Sequence, residues 1–439
     1  MTVRLSVIGT GYLGATHAAC MADLGHEVIG MDTDAAKIKR LADGEVPFYE
    51  PGLPEVLQRA LASGRLTFTT DPAEVAAFAD VHFVCVGTPQ RSGTNGADLT
   101  YVDASVRGLA PHLDRPALVV GKSTVPVGTA LRLSAELHAL APAGRAVDLA
   151  WNPEFLREGF AVKDSVEPDR LVFGVQTASA EARLREVYAA AIAAGTPVVV
   201  SDLPTAELVK GAANSFLATK ISFINAMAEL CEATGADVTV LAQALSHDVR
   251  IGGQFLRPGL GFGGGCLPKD IRGFMARAGE LGVGEALTFL REVDAINQRR
   301  RARTVDLARE ELGGSFSGRT VAVLGASFKP DSDDIRDSPA LDVAAAIHER
   351  GARVRVYDPK AMTNAAARFP SLEYAASATE ACTGADAVLH LTEWSEFRTI
   401  DPVELAGVVN QRVVVDGRNA LDAVRWREAG WTYRALGRP

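Results

Sequence analysis

Short apolar, β-branched runs alternate with longer amphipathic stretches over most of the chain, a pattern that predicts repeated strand–helix units built around parallel sheets. The strand runs are Val3–Ile8, Glu27–Met31, Val81–Val86, Ala117–Lys122, Asp148–Trp151, Leu171–Val175 and Pro197–Val200. From Pro204 to about Thr234 the pattern becomes one amphipathic stretch, opened by a proline suited to a first helical turn and followed by Gly235, suited to a helix end. At ~1.5 Å per residue this helix runs roughly 45 Å, long enough to join two domains and offer a dimer surface. A helical region continues to about Arg309, and strand runs resume at Arg319–Gly325, Arg353–Asp358, Ala387–Leu391 and Val413–Asp416.

The expected fold is α/β: two Rossmann-like doubly wound domains joined by a long central helix and a helical dimerisation region. Expected boundaries are residues 1–200 for the first α/β domain, 201–312 for the central part, and 313–439 for the second α/β domain. Glu207, Lys210, Asn214 and Lys220 interrupt the apolar pattern of the central helix, and Lys210 and Asn214, one turn apart, project together. On the helix alone they read as a solvated stripe. The run Gln298-Arg299-Arg300-Arg301 likewise reads as a solvated face.

Composition narrows the functional classes. With 439 residues, 47% hydrophobic and 23% charged, the chain is globular and long enough for several domains. A formal charge of −9 argues against a nucleic-acid or anionic-membrane partner, which would call for a basic face. Five widely spaced cysteines, Cys20, Cys85, Cys231, Cys266 and Cys382, fit neither a disulfide framework nor a zinc site, so no metal is expected and a reducing cytoplasm is the expected location. The N-terminal residues show no export signal.

The first strand runs into Gly9-Thr10-Gly11-Tyr12-Leu13-Gly14 and then a helical stretch, and the second strand ends at Asp32. In that arrangement Gly9 permits the turn, Gly11 admits a pyrophosphate close to the backbone, and Gly14 lets helix and strand pack. Asp32 is placed to accept hydrogen bonds from ribose hydroxyls, which favours NAD over NADP. The ends of two further strands, Gly87-Thr88-Pro89-Gln90 and Ser123 to Gly128, are expected near the nicotinamide. In Asn152 to Gly159, Glu154 and Glu158 lie four residues apart and would share a face if the segment were helical; an exposed ion pair with Arg157 is the alternative.

The most concentrated chemistry lies in Pro258 to Asp270. Five glycines in seven residues precede Cys266, Lys269 and Asp270. Glycines let a ligand approach the backbone, a nearby cation favours the thiolate, and a carboxylate can move a proton. The alternative is a flexible linker with an inert buried thiol.

With these segments assembled, the chain resembles the UDP-glucose/GDP-mannose dehydrogenase family over essentially its whole length. The resemblance rests on Gly9 to Gly14, Phe48-Tyr49-Glu50-Pro51-Gly52-Leu53, Val86 to Pro89, Ser123 to Gly128, Asn152 to Gly159, Lys210 to Asn214, Gly261 to Asp270, and Phe328-Lys329-Pro330 with Asp334-Ile335-Arg336. One departure is Gly265, where a serine often precedes the catalytic cysteine; it affects only local loop contacts.

The resemblance implies oxidation of a nucleotide sugar from CH2OH to COO− with two NAD+ used in sequence. Lys210, Asp270 and a water would take the proton of the first step; Cys266 would form a thiohemiacetal and then a thioester; Lys210 and Asn214 would stabilise the oxyanion; Glu154, with Thr124 holding a water, would serve the hydrolysis. Residues implied to contact NAD are Gly9, Gly11, Tyr12, Leu13, Gly14, Asp32, Lys37, Thr88, Thr124, Glu158, Lys269 and Arg336. Those implied for the nucleotide sugar are Phe155, Leu156, Lys210, Asn214, Phe255, Leu256, Arg257, Gly259, Phe262, Gly263, Phe328, Lys329 and Arg418, together with Arg250 reaching into the neighbouring subunit of a homodimer. The loop glycines then read as space for a hexose beside Cys266.

UDP-glucose is the leading substrate on this reading. TDP-glucose, GDP-mannose and a UDP-N-acetylhexosamine share its pyrophosphate and stay open. A 3-hydroxyacid dehydrogenase would leave Cys266 and the second α/β domain without a purpose. A catalytically silent nucleotide or redox sensor would be expected to lack a catalytic residue, and none is missing.

Overall fold

A computed structural model describes residues 2–439. They form two compact units, one taking the chain up to Ala213 together with Arg272–Gly282, the other Asn214–Ile271 with Val283–Pro439. The division falls inside the central helix, Leu203–Thr234.

The first unit is built on eight strands, β1 (Arg4–Ile8), β2 (Glu27–Met31), β3 (Leu66–Thr69), β4 (Val81–Val84), β5 (Ala117–Gly121), β6 (Val147–Trp151), β7 (Leu171–Gly174) and β8 (Val198–Ser201), ordered β3-β2-β1-β4-β5-β6-β7-β8. Neighbours run parallel except β6 and β7, which meet antiparallel at Trp151 and Gly174. Successive side chains point to opposite faces, and each face has its own core. Leu5, Val7, Phe83, Leu118 and Val120 pack on one face; Ile8, Val84 and Val119 pack on the other. Covering both faces explains why central strand runs such as β4 and β5 are largely apolar rather than alternating.

The second unit carries β9 (Thr320–Leu324), β10 (Arg353–Tyr357), β11 (Glu373–Tyr374), β12 (Ala387–His390), β13 (Val413–Asp416) and β14 (Thr432–Ala435), all parallel and ordered β11-β10-β9-β12-β13-β14. This repeats the order of the first six strands of the other sheet. The first turn repeats too: Gly9 (φ 89°) donates to Met31 O at 2.7 Å, and Gly325 (φ 116°) donates to Tyr357 O at 2.8 Å. Each second strand is followed by an aspartate, Asp32 or Asp358. Their surroundings differ. Asp358 is buried, and its Oδ2 accepts from Ala326 N, Ser327 N, Ser327 Oγ and Trp394 Nε1 at 2.8–3.1 Å.

Several sequence expectations change. The helical region after the glycine loop is two helices, Leu267–Glu280 and Phe289–Glu311, interrupted where Gly282 takes a φ of 76°. Arg300 and Arg301 do not form a solvated face: both are buried, Arg300 donating to Glu232 at 2.6 Å and Arg301 to Asp337 at 2.9 Å. Glu207, Lys210 and Asn214 are buried as well, so the polar stripe of the central helix faces inward over that stretch. Asn152 to Glu158 is a loop, not a helix, because Pro153 bars the helical region to the residue before it. The short strands β3, β11 and β14 escaped the sequence reading.

Candidate active site

In the first unit the glycine turn has the geometry its spacing implies. A Cβ on Gly14 would lie 1.8 Å from Gly9 O, so the helix Tyr12–Asp23 packs against the turn as only glycine allows. A Cβ on Gly11 would meet nothing within 4 Å, leaving open space at the helix N-terminus, where backbone N–H groups favour an anion. Asp32 Oδ2 accepts from Thr10 N at 2.9 Å, Thr10 Oγ1 at 3.1 Å and Lys37 Nζ at 2.9 Å. Burial works to raise the Asp32 pKa, but the Lys37 ammonium and backbone N–H donors outweigh it and hold the carboxyl below its usual range. This charged acceptor beside an open glycine turn fits the adenosine half of NAD. Tyr12 donates to Glu50, and Glu50 accepts Gly159 N and Ala161 N, each at 2.7 Å, fastening the loop that carries Glu158. Thr88 Oγ1 donates to Thr124 O at 2.7 Å and so ties two strand ends together.

Glu154 sits on the loop after β6, where the Leu156 N–H donates to its Oε1. Burial pushes its carboxyl above the ordinary range, against the ammoniums of Lys122 and Lys210. Lys210 Nζ lies 5.5 Å from the Phe155 ring centroid, and the Arg170 guanidinium lies 3.9 Å from it. Lys122 lies immediately after β5 and comes within 3.8 Å of Glu154 Oε2. Nearer the start of the central helix, Glu207 accepts Gly128 N at 2.7 Å and Ala130 N at 2.6 Å, capping the helix Thr129–Leu140, whose N-cap glycine has no side chain to do so.

In the second unit Cys266 is exposed, whereas the other four cysteines are buried. Its carbonyl accepts Asp270 N at 2.9 Å, which places the thiol at the start of the helix Leu267–Glu280. Asp270 is buried; its Oδ2 accepts Asn214 Nδ2 at 2.6 Å and its Oδ1 accepts Lys269 Nζ at 2.5 Å.

The preceding glycines do not form a free linker. Cβ atoms on Gly259, Gly261, Gly263, Gly264 and Gly265 would fall within 2.1–2.7 Å of Gly417, Asn297, Asp337, Phe328 and Arg336 respectively. The loop backbone is also held by Asn225 on Gly259 N (2.8 Å), Asn297 on Phe262 N (2.8 Å) and Arg418 Nη1 on Gly261 O (2.9 Å). On the side where a Cβ would stand, the glycines therefore admit the chain's own neighbouring segments.

Arg418 also donates to Leu391 O at 2.7 Å and Phe328 O at 3.2 Å, joining the loop to two strand ends. Lys329 Nζ lies 5.5 Å from the Phe328 ring centroid, and Arg336 pairs with Asp334 at 2.7 Å. Leu256 is buried; Arg257 is exposed, and Phe255 takes a φ of 63° at the surface. Arg250 is exposed and paired with Asp248 at 2.7 Å.

The predicted residues thus fall into two groups. Gly9 to Gly14, Asp32, Lys37, Thr88, Thr124, Glu154 to Leu156, Glu158 and Lys210 belong to the first unit; Asn214, Arg250, the glycine loop with Cys266, Lys269 and Asp270, and Phe328, Lys329, Arg336 and Arg418 belong to the second. Sequence reasoning missed the structural parts of Lys122, Glu50, Asn225 and Asn297; for Lys122 the signal was a lysine closing an otherwise apolar strand. Among the described residues, no group of three His, Cys, Asp or Glu side chains is placed to hold a metal, and no helix is long and apolar enough to cross a membrane.

Two Rossmann-type sheets, an open glycine turn with an acidic ribose acceptor, and an exposed cysteine at a helix start define a dinucleotide-dependent oxidoreductase architecture. The chain belongs to the UDP-glucose/GDP-mannose dehydrogenase family: residues 3–192 match its NAD binding domain, 204–299 its central domain and 322–423 its UDP binding domain. It is 41% identical to a UDP-glucose 6-dehydrogenase of Rhizobium meliloti, over all of both chains. It is 42% identical to the enzyme of that name from Pseudomonas aeruginosa, over 100% of this chain and 98% of the relative. The solved structure of a UDP-glucose dehydrogenase from Pyrobaculum islandicum superposes with a TM-score of 0.92 at 40% identity, covering 100% of this chain and 98% of that one.

Proposed function

We propose that the chain oxidises UDP-glucose at C6 to UDP-glucuronate, consuming water and two NAD+. The observation that carries this reading is the exposed Cys266 at the head of its helix, beside the buried Asp270–Asn214 pair, on a chain about 40% identical over its full length to UDP-glucose 6-dehydrogenases. Oxidation that stops at an aldehyde needs no nucleophile. Oxidation to the acid does, because the aldehyde carbon must become tetrahedral before it can release a second hydride.

NAD, when bound, accepts the hydride in each oxidation. Asp270 and Lys210, with an ordered water, take the C6 hydroxyl proton. The Cys266 sulfur then bonds to the aldehyde carbon while Lys210 and Asn214 donate to the oxyanion. Departure of the second hydride leaves a thioester. A water held by Thr124 adds to its carbonyl carbon, a proton passes to Glu154, the C–S bond breaks with its electron pair going to sulfur, and the product leaves as a carboxylate. In this scheme residues 1–200 hold NAD, 313–439 hold the nucleotide sugar, and 201–312 carry the cysteine loop; the compartment is the cytoplasm.

The protein works as a homodimer on this reading. Phe216, Phe223 and Leu230, exposed to 67%, 49% and 58%, recur every seventh residue along one face of the central helix and ask for an apolar partner, supplied by a second copy. Arg250 completes the neighbour's sugar site. Phe223→Glu should shift the species seen by light scattering to monomer.

The test is a stopped assay on a panel of nucleotide sugars. UDP-glucose should yield about two NADH per sugar and a uronate. One NADH with free aldehyde, or turnover confined to GDP-mannose, TDP-glucose or a UDP-N-acetylhexosamine, overturns the reaction or the substrate, respectively. Full uronate formation by Cys266→Ser removes the thioester.

A further inference from the structure

Lys122 is a costly residue for a protein interior. Its side chain is 6% exposed, and its Nζ donates to Asn152 Oδ1 at 3.1 Å and Tyr188 OH at 3.2 Å, both neutral groups. Tyr188 in turn donates to Asn152 Oδ1 at 2.7 Å, and Asn152 Nδ2 donates to Val172 O at 3.0 Å, so the cluster is anchored to β7. The rings of Phe83 and Tyr188 flank the ammonium at 5.9 and 5.7 Å. Removing an ammonium from water costs several kcal/mol unless a charge answers it, and an apolar chain of equal length would fill the same space without that penalty. Among the described residues, the carboxylate within ion-pair distance is Glu154, at 3.8 Å. That distance is too long for a direct hydrogen bond, so Lys122 acts on Glu154 through its field while leaving Oε2 able to accept from water.

The two residues also line one cavity in the first unit, together with His17, Asn152, Asp169 and Tyr188. His17 presents there a buried Nε2 without a hydrogen-bond partner, and both burial and the Lys122 charge keep its imidazole neutral.

We propose that Lys122 is a positioning residue for thioester hydrolysis: clamped by Asn152 and Tyr188, it holds Glu154 oriented and in its carboxylate form, ready to take the proton of the attacking water. This rests on the reaction given above, in which Glu154 is the base. Other groups bear on Glu154: Lys210 from the central helix adds a second positive charge, Asp164 opposes it, and Tyr188 and Cys85 are neutral neighbours at ordinary pH. Burial already raises the Glu154 pKa, so removing Lys122 moves it further up. The chemistry upstream of hydrolysis does not involve Glu154 and should survive the change.

The test uses the full-length protein with Lys122→Met. With saturating UDP-glucose and NAD+, the variant should release a burst of about two NADH per subunit and then turn over at least about tenfold more slowly than wild type, since one pKa unit corresponds to tenfold. Intact mass should show the uronyl adduct on Cys266, KM should change little, and the acid limb of the steady-state pH profile should move to higher pH. Adding Lys122→Met to Glu154→Gln should slow hydrolysis no further than Glu154→Gln alone. If Lys122→Met does not fold, Tyr188→Phe, which keeps the ammonium but removes one of its partners, should show a smaller shift in the same direction. A folded variant with no burst, no adduct and an unmoved acid limb overturns the positioning role alone. Wild-type protein that makes no NADH from UDP-glucose overturns the underlying reaction and this inference together.

Discussion

Asn214 Nδ2 lies 2.6 Å from Asp270 Oδ2, joining the central helix to the helix that follows Cys266. Because Asp270 is buried, removing the amide strips a charged acceptor of a partner that water cannot readily replace. Asn214→Ala should therefore lose about 1–3 kcal/mol of stability, read from the denaturant midpoint, together with a marked loss of turnover. An unchanged midpoint would show that the pair is not formed in solution.

The glycines make two opposite predictions. Gly11 has an ordinary φ of −70° and open space around its missing side chain, so Gly11→Ala should fold with wild-type stability and lose affinity for NAD, measured by calorimetry. Gly263→Ala would set a methyl 2.2 Å from Asp337 O, a backbone atom with little freedom to move, so this substitution should cost about 1–3 kcal/mol or more in stability. Equal behaviour of the two variants would contradict the distinction between a ligand-facing and a chain-facing glycine.

Alkylation should distinguish the cysteines. Burial pushes the thiols of Cys20, Cys85 and Cys382 up to about 12, whereas Cys266 is exposed. Iodoacetamide on the native protein should label Cys266 first, followed by peptide mass mapping, and UDP-glucose should slow that labelling. Early modification of Cys85 would show that the first unit opens more readily than its packing implies.

Glu207 sets a pH dependence of stability. Burial raises its pKa from 4.5 to about 7, despite the N–H donors of Ala130 and Gly128. The folded state thus holds this proton more tightly than the unfolded chain. The group's contribution is full below about pH 4.5 and is lost as pH rises through about 7, a slope of the sign linkage requires. Glu207→Gln should flatten the stability profile across that window, followed by thermal melts at closely spaced pH values; an unaltered slope would assign the titration elsewhere.

The sheets were legible because both faces of their central strands are covered, which leaves short runs buried throughout, such as Val81–Val84 and Val413–Asp416. The glycine turn was legible because Gly9, Gly11 and Gly14 answer three separate steric demands at fixed spacing. What escaped depends on contacts distant in sequence. Nothing local marks Arg300 and Arg301 as buried until Glu232 and Asp337 arrive from elsewhere, and the crowding of Gly261 is visible only once Asn297 stands against it. Lys122 was hidden for the same reason: its partners Asn152 and Tyr188 lie 30 and 66 residues away.

The acid after β10 has a consequence for the order of events during turnover. Asp358 occupies the place that Asp32 holds in the first sheet, but it is buried, with Trp394, Ser327 and the backbone donating to its carboxylate. The dinucleotide then belongs to the open glycine turn of the first unit, within the residues that match the NAD binding domain. In the proposed reaction the reduced carrier must depart and a fresh one arrive between the two hydride transfers, while the half-oxidised sugar stays behind. Covalent attachment to Cys266 and a tightly packed loop around it are what retention during such an exchange would require.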